Sequence, residues 1–93
     1  YVPGSHTHGI FPITQDPERP VHHIPDTGEL QLPDPVPVPV SAGSVIFHHG
    51  CTLHNSGDNT TNTWRKAIIF HYSTSEAMSE KEELNAQVSL EID

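Results

Sequence analysis

The sequence predicts an all-β chain built around one antiparallel hairpin, with at most one short helix. Two runs rich in β-branched and aromatic residues predict strands: SVIFHH at residues 44–49 and WRKAIIFHY at residues 64–72, because such side chains suit a partly covered pleated surface. Between them, NSGDNTTNT at residues 55–63 has the polar composition of a hairpin loop. By contrast, residues 7–35 show neither a helical nor an alternating period.

The elements before the hairpin follow from proline and glycine. YVPGSH at residues 1–6 reads as the end of a strand followed by a turn, since Pro-Gly is a strong turn dipeptide. Residues 7–35, rich in Pro, Asp, Gly and His, are predicted to be a long loop or insertion and a candidate lid, because loops of this length are usually functional or mobile. VPVPV at residues 36–40 predicts an edge strand, because proline cannot donate a ladder hydrogen bond.

The second half is predicted to hold the core strands and one helix. The core strands are placed within residues 36–75. After them, Ser79 and Glu82 form a potential capping box, which predicts a short helix over residues 79–87. We treat all 93 residues as one partial domain, with residues 79–93 as helix and tail.

Composition excludes several classes of function. Apolar residues make up 33% of the 93 residues. Even with the six glycines counted, the share stays below the usual ~45–50%, so a self-sufficient core is difficult to build. A formal net charge of −8 argues against nucleic acid and against an anionic membrane surface as partners. No apolar run reaches the ~20 residues that span a bilayer. A single Cys cannot form an internal disulfide, so we expect a reducing, cytoplasmic setting.

Two residues stand out chemically. Arg65 lies eleven residues after His54, and the predicted hairpin would place the two at its mouth. An arginine at the start of an apolar strand needs an anionic partner, and its fork of donors suits a planar carboxylate. Asp58 in the loop is one candidate partner, and a bound small dicarboxylate is the other. A metal on His54 could then share that ligand with Arg65.

The stretches VPGSHTHG and AGSVIFHHGCTLHNSGDNTTNTWRKAIIFHY resemble the phytanoyl-CoA dioxygenase family of iron(II)- and 2-oxoglutarate-dependent oxygenases. The resemblance implies a double-stranded β-helix, or jelly roll, of which this chain would be the C-terminal half. It implies His54 as the distal iron ligand, Arg65 and Ser56 as the residues that hold 2-oxoglutarate, and Asn59 as a turn residue. It further implies a dioxygenase that hydroxylates a small organic substrate, with ascorbate as reductant. Other histidines of the motif are interpreted as scaffold: His48, His49 and His71.

The sequence also departs from the family pattern. The HxD/E pair of iron ligands lies upstream of the PGSH segment in the family, and no H-x-D or H-x-E occurs among these 93 residues. We therefore expect a truncated and inactive chain, and we expect self-association through the strand edge that the missing partner would cover. The alternative function is a non-enzymatic β-sandwich module that binds a carboxylate ligand or partner through Arg65.

Overall fold

The computed structural model describes residues 1–20, 22–74 and 76, and the regular elements in this part are a short 3-10 turn and one small sheet. The 3-10 turn spans Ser5–His8, strand β1 spans Ile13–Gln15 and strand β2 spans His23–Pro25. The chain divides into two compact units, Tyr1–Asp58 and Asn59–Asp93. Strands without α-helix agree with the all-β prediction, whereas the predicted helix at residues 79–87 lies outside the described residues. None of the described residues forms a helix able to cross a membrane.

The sheet is an antiparallel hairpin inside the segment that the sequence predicted to be loop. Thr14 of β1 is paired with Ile24 of β2, and Asp26 N–H donates to the Pro12 carbonyl beyond the strand ends at 2.7 Å. The connecting turn closes through a hydrogen bond from Asp16 N–H to the His22 carbonyl at 3.1 Å. The sequence predicted a long loop or insertion over residues 7–35, and the structure places this short hairpin within that segment. Strands of three residues are too short to produce a visible alternation.

The N-terminal segment lies between two later parts of the first unit. Tyr1 and Val36 exchange both backbone hydrogen bonds, at 3.1 and 2.7 Å, which is the pattern of an antiparallel pair. Val2 N–H donates to the Leu53 carbonyl at 2.9 Å. Because successive N–H groups of an extended chain point to opposite sides, residues 1–2 are bonded on both edges. This arrangement agrees with the strand end predicted at residue 1.

The two runs predicted to be the hairpin strands are not strands in the described structure. Neither residues 44–49 nor residues 64–72 are assigned to a strand, and their large side chains are exposed, with Phe47 at 85% and Trp64 at 88%. Of the predicted edge strand at residues 36–40, Val36 alone has a ladder pair in the described part. Strand propensity reports how a side chain fits a covered sheet surface, and it does not supply the neighbouring backbone.

Burial is minimal in the described residues. Ser5 is the buried residue among them, at 0% exposure, and none of their hydrophobic side chains is buried. Ser5 begins the 3-10 turn directly after Gly4, whose φ of 71° lies in the left-handed region that glycine adopts without strain. The expectation from composition that a self-sufficient core is hard to build is confirmed for this part of the chain.

Candidate metal-binding site

His54 lies in the first unit, between two other rings. The Tyr1 ring stacks on the His54 imidazole with a centroid distance of 5.4 Å and an interplanar angle of 16°. The His48 imidazole also contacts the His54 ring, with an interplanar angle of 51° and a centroid distance of 4.5 Å. Tyr1 and His48 also contact each other at 5.3 Å. The three rings therefore form one aromatic cluster, Tyr1–His48–His54, in which His54 itself is exposed.

A hydrogen bond to the backbone fixes the tautomer of His54. Its Nδ1 lies 2.8 Å from the Thr52 carbonyl oxygen. A carbonyl oxygen can only accept, so Nδ1 carries the proton and Nε2 carries the lone pair in the neutral ring. Metal-bound histidines in proteins commonly have this arrangement, in which the nitrogen that is not coordinated donates to a carbonyl. The Nε2 lone pair of His54 is therefore the one through which a neutral imidazole in this tautomer would coordinate a metal.

Not every histidine in the motif has this state. His49 Nδ1 accepts from Cys51 N–H at 3.1 Å, so the ring proton of neutral His49 resides on Nε2. Its Nδ1 lone pair is therefore used by the backbone of its own turn. This contact agrees with the interpretation of His49 as scaffold.

A shallow groove of about 300 Å³ borders His54. One wall is the chain segment leading to His54, and the other comes from the β1–β2 hairpin through Ile13, His23 and Pro25. A second, smaller depression of about 150 Å³ continues along the hairpin toward Phe11. The hairpin thus lies beside the candidate ligand, as a lid over the site would.

The three predicted site residues belong to different units. His54 and Ser56 lie in the first unit, whereas Arg65 lies in the second, so the proximity of His54 to Arg65 stays a prediction. Ser56 and Arg65 are both exposed. Asp58, one of the two candidate partners for Arg65, forms an ion pair with Arg19 at 3.3 Å.

Asn59 has the turn role that was predicted for it. Its side-chain amide donates to the Thr63 carbonyl at 2.7 Å, and its side-chain oxygen accepts from Thr61 N–H at 3.1 Å. Both bonds lie within the loop of the second unit, where they hold residues 59–63 in a compact turn. That prediction is confirmed.

The chain was also compared with known families and proteins. The family described as Phytanoyl-CoA dioxygenase (PhyH) matches residues 1–67, a range that includes His54, Ser56 and Arg65. The chain belongs to this family. As a member of the phytanoyl-CoA dioxygenase family, it is 32% identical over 77 residues to the bovine (Bos taurus) protein named Phytanoyl-CoA dioxygenase domain-containing protein 1.

This match covers 76% of the present chain and 26% of the bovine protein. The chain therefore spans about a quarter of the length of that curated relative. No solved structure matches it. In residues 1–20, 22–74 and 76 there is no group of three or more His, Cys, Asp or Glu side chains that could hold a metal ion.

Sequence reasoning missed three residues around His54 in this family member. Tyr1 and His48 contact its ring, and His23 of β2 lines the same groove. The adjacent histidines at residues 22–23 and 48–49 were visible signals, but the spacing alone did not show that His48 contacts the His54 ring or that His23 lines the same groove. Only folding of the chain brings residues 1, 23 and 48 to the same place.

Proposed function

We propose that this chain is part of an iron(II)- and 2-oxoglutarate-dependent dioxygenase that hydroxylates a small organic substrate. In this proposal His54 is one iron ligand, and Arg65 with Ser56 holds the distal carboxylate of 2-oxoglutarate. The observation that carries the proposal is the tautomer of His54, whose Nδ1 donates to the Thr52 carbonyl at 2.8 Å. Family membership supports it, because the match extends through all three residues.

The residues present fit iron as one part of a ligand set. His54 offers a neutral imidazole with its Nε2 lone pair available, which suits iron(II). One imidazole does not hold iron(II) against water, and the described residues contain no larger ligand group. The remaining ligands would therefore come from elsewhere in the protein. When bound, the iron supplies oxygen activation coupled to oxidation of 2-oxoglutarate, with ascorbate maintaining the reduced metal.

Arg65 is proposed to bind the co-substrate because of its donor geometry. The guanidinium presents parallel N–H groups that match both oxygens of a carboxylate, whereas a lysine ammonium acts as a point charge. Ser56 would add a hydroxyl donor to the same carboxylate.

The β1–β2 hairpin is proposed to act as the lid over the substrate. It lines the groove beside His54 through side chains that are largely apolar, with His23 as the polar exception. A lid in this position would exclude water from the reacting groups. The His23 imidazole would then be the polar side chain of the lid beside the substrate. The support for this role is that the hairpin and His54 line the same groove.

Steady-state kinetics of the full-length protein tests the proposal. With iron(II), 2-oxoglutarate and ascorbate, we expect succinate release that His54→Ala abolishes. Arg65→Lys should raise the KM for 2-oxoglutarate by about tenfold or more, since bidentate pairing is lost. The matched control is Lys66→Ala, which removes the adjacent cation and should leave that KM within about twofold.

The same experiment separates the enzyme from the alternative binding module. Binding of 2-oxoglutarate that depends on Arg65, without iron and without succinate release, would favour a non-enzymatic module. Turnover that persists in His54→Ala would show that the metal site is elsewhere. Turnover by the 93 residues alone would contradict the expectation that this chain is inactive by itself.

A further inference from the structure

Ser5 is remote from His54 in sequence, yet its side chain contacts Leu53, the residue directly before His54. The Ser5 hydroxyl is fully buried. It donates to the Val2 carbonyl at 2.8 Å and accepts from Leu53 N–H at 2.9 Å. Its donor and one acceptor site are therefore both used, and a buried hydroxyl with two partners is a specific structural link.

These contacts complete an interrupted pair of backbone hydrogen bonds. Val2 N–H donates directly to the Leu53 carbonyl at 2.9 Å. In an ordinary antiparallel pair the reciprocal bond would run from Leu53 N–H to the Val2 carbonyl. Here the Ser5 hydroxyl stands between these two groups and relays the second bond. Both backbone groups of Leu53 are consequently bonded to the N-terminal segment, the carbonyl to Val2 and the N–H to Ser5.

This connection sets the position of His54 and of the ring that stacks on it. His54 directly follows Leu53, and Tyr1 directly precedes Val2. The rings of Tyr1 and His54, which stack at 5.4 Å, therefore belong to the neighbours of the two residues that Ser5 connects. The turn through Pro3 and Gly4 returns the chain so that Ser5 can reach back to Val2, closed by a hydrogen bond from Ser5 N–H to the Val2 carbonyl at 3.3 Å, and Gly4 with φ 71° permits that return. Side chains at the other positions of the turn are exposed.

We propose that Ser5 is a positioning residue for His54, acting through Leu53 to hold the imidazole against Tyr1 with Nε2 available. The inference rests on the proposed function of His54 as a metal ligand. Ser5 itself touches neither substrate nor metal. Its contribution is to fix the backbone from which the ligand extends.

NMR of the full 93-residue chain tests this relay directly. We expect Ser5→Ala to accelerate hydrogen exchange of the Leu53 amide by about tenfold, the effect of losing one buried hydrogen bond. The nuclear Overhauser contact between the rings of Tyr1 and His54 should disappear with it. The matched control is Thr7→Val, because the Thr7 hydroxyl donates to the Gly4 carbonyl at 2.7 Å in the same turn but does not contact Leu53. It should leave both signals unchanged.

A second variant keeps the test decisive if Ser5→Ala disturbs the whole turn. Chemical synthesis with ligation at Cys51 allows the Leu53 amide to be replaced by an ester, which removes the N–H and leaves Ser5 in place. The Tyr1–His54 contact should be lost in this chain as well. Retention of that contact in both altered chains, equal effects of Thr7→Val, or an unprotected Leu53 amide in the unaltered chain would each overturn the inference.

A parallel measurement distinguishes this inference from the proposed function. Cobalt(II) affinity of the full-length protein, followed by absorption, should fall in His54→Ala and, to a smaller extent, in Ser5→Ala. An affinity unchanged in His54→Ala would refute His54 as a ligand, whatever the NMR result. An affinity lowered in His54→Ala but not in Ser5→Ala would refute the positioning role alone.

Discussion

The ion pair between Arg19 and Asp58 connects the tip of the β1–β2 hairpin to the loop that follows His54 and Ser56. One Arg19 Nη2 lies 3.3 Å from Asp58 Oδ2, and the two side chains are 48% and 70% exposed. If the hairpin is a lid, this ion pair stabilises its closed position. We expect Asp58→Asn to weaken that stabilisation without unfolding the hairpin.

The exposure of both partners limits the size of the effect. Two unit charges at 3.3 Å attract by about 1.3 kcal/mol in water. Loss of side-chain freedom and screening by salt reduce the net value for exposed pairs to roughly 0.2–1 kcal/mol. A value near 0.5 kcal/mol corresponds to about a twofold change in the opening equilibrium of the hairpin turn.

A double-mutant cycle with Arg19→Gln and Asp58→Asn measures the coupling free energy. The reporter is hydrogen exchange of the Asp16 amide, which donates to the His22 carbonyl and closes the turn that carries Arg19. The matched control is Glu18→Gln, a loss of one negative charge in the same turn. A coupling above about 1.5 kcal/mol, or one that does not decrease at high salt, would show that the exposed-pair reasoning is wrong.

Three further outcomes are expected for the 93-residue chain. Because Trp64 is 88% exposed, its fluorescence should match a water-exposed indole at low protein concentration. A blue shift with rising concentration, together with larger species in sedimentation velocity, would indicate the expected self-association. A sharp monomer at all concentrations would contradict it. Asn59→Ala should accelerate amide exchange in the 59–63 loop by about tenfold because two side-chain bonds are lost, whereas equal acceleration by Asn62→Ala would refute a specific turn role. Gly4→Ala should destabilise the N-terminal turn by about 1 kcal/mol because φ is 71°, and thermal unfolding should show a smaller loss for Gly50→Ala, which meets open space; equal losses would contradict the backbone argument.

The outcome for the predicted strands shows why propensity was insufficient. Residues 44–49 and 64–72 have the composition of covered strands, yet neither is a strand in the described structure. Strand composition becomes a strand only when a second backbone satisfies its donors and acceptors. Conversely, β1 and β2 arise in a segment without period, because the turn bonds around residues 16–22 bring two short segments into register.

The sequence by itself indicated the family and the all-β character, because these depend on residue types at fixed spacing. The same motif predicted His54, Ser56 and Arg65 as site residues, which stays a prediction, and Asn59 as a turn residue, which the structure confirms. The tertiary structure decided which side chains surround His54 and which tautomer it adopts. Those depend on contacts between distant segments, such as the Ser5 hydroxyl bonded to Leu53, and no local pattern along the chain encodes them.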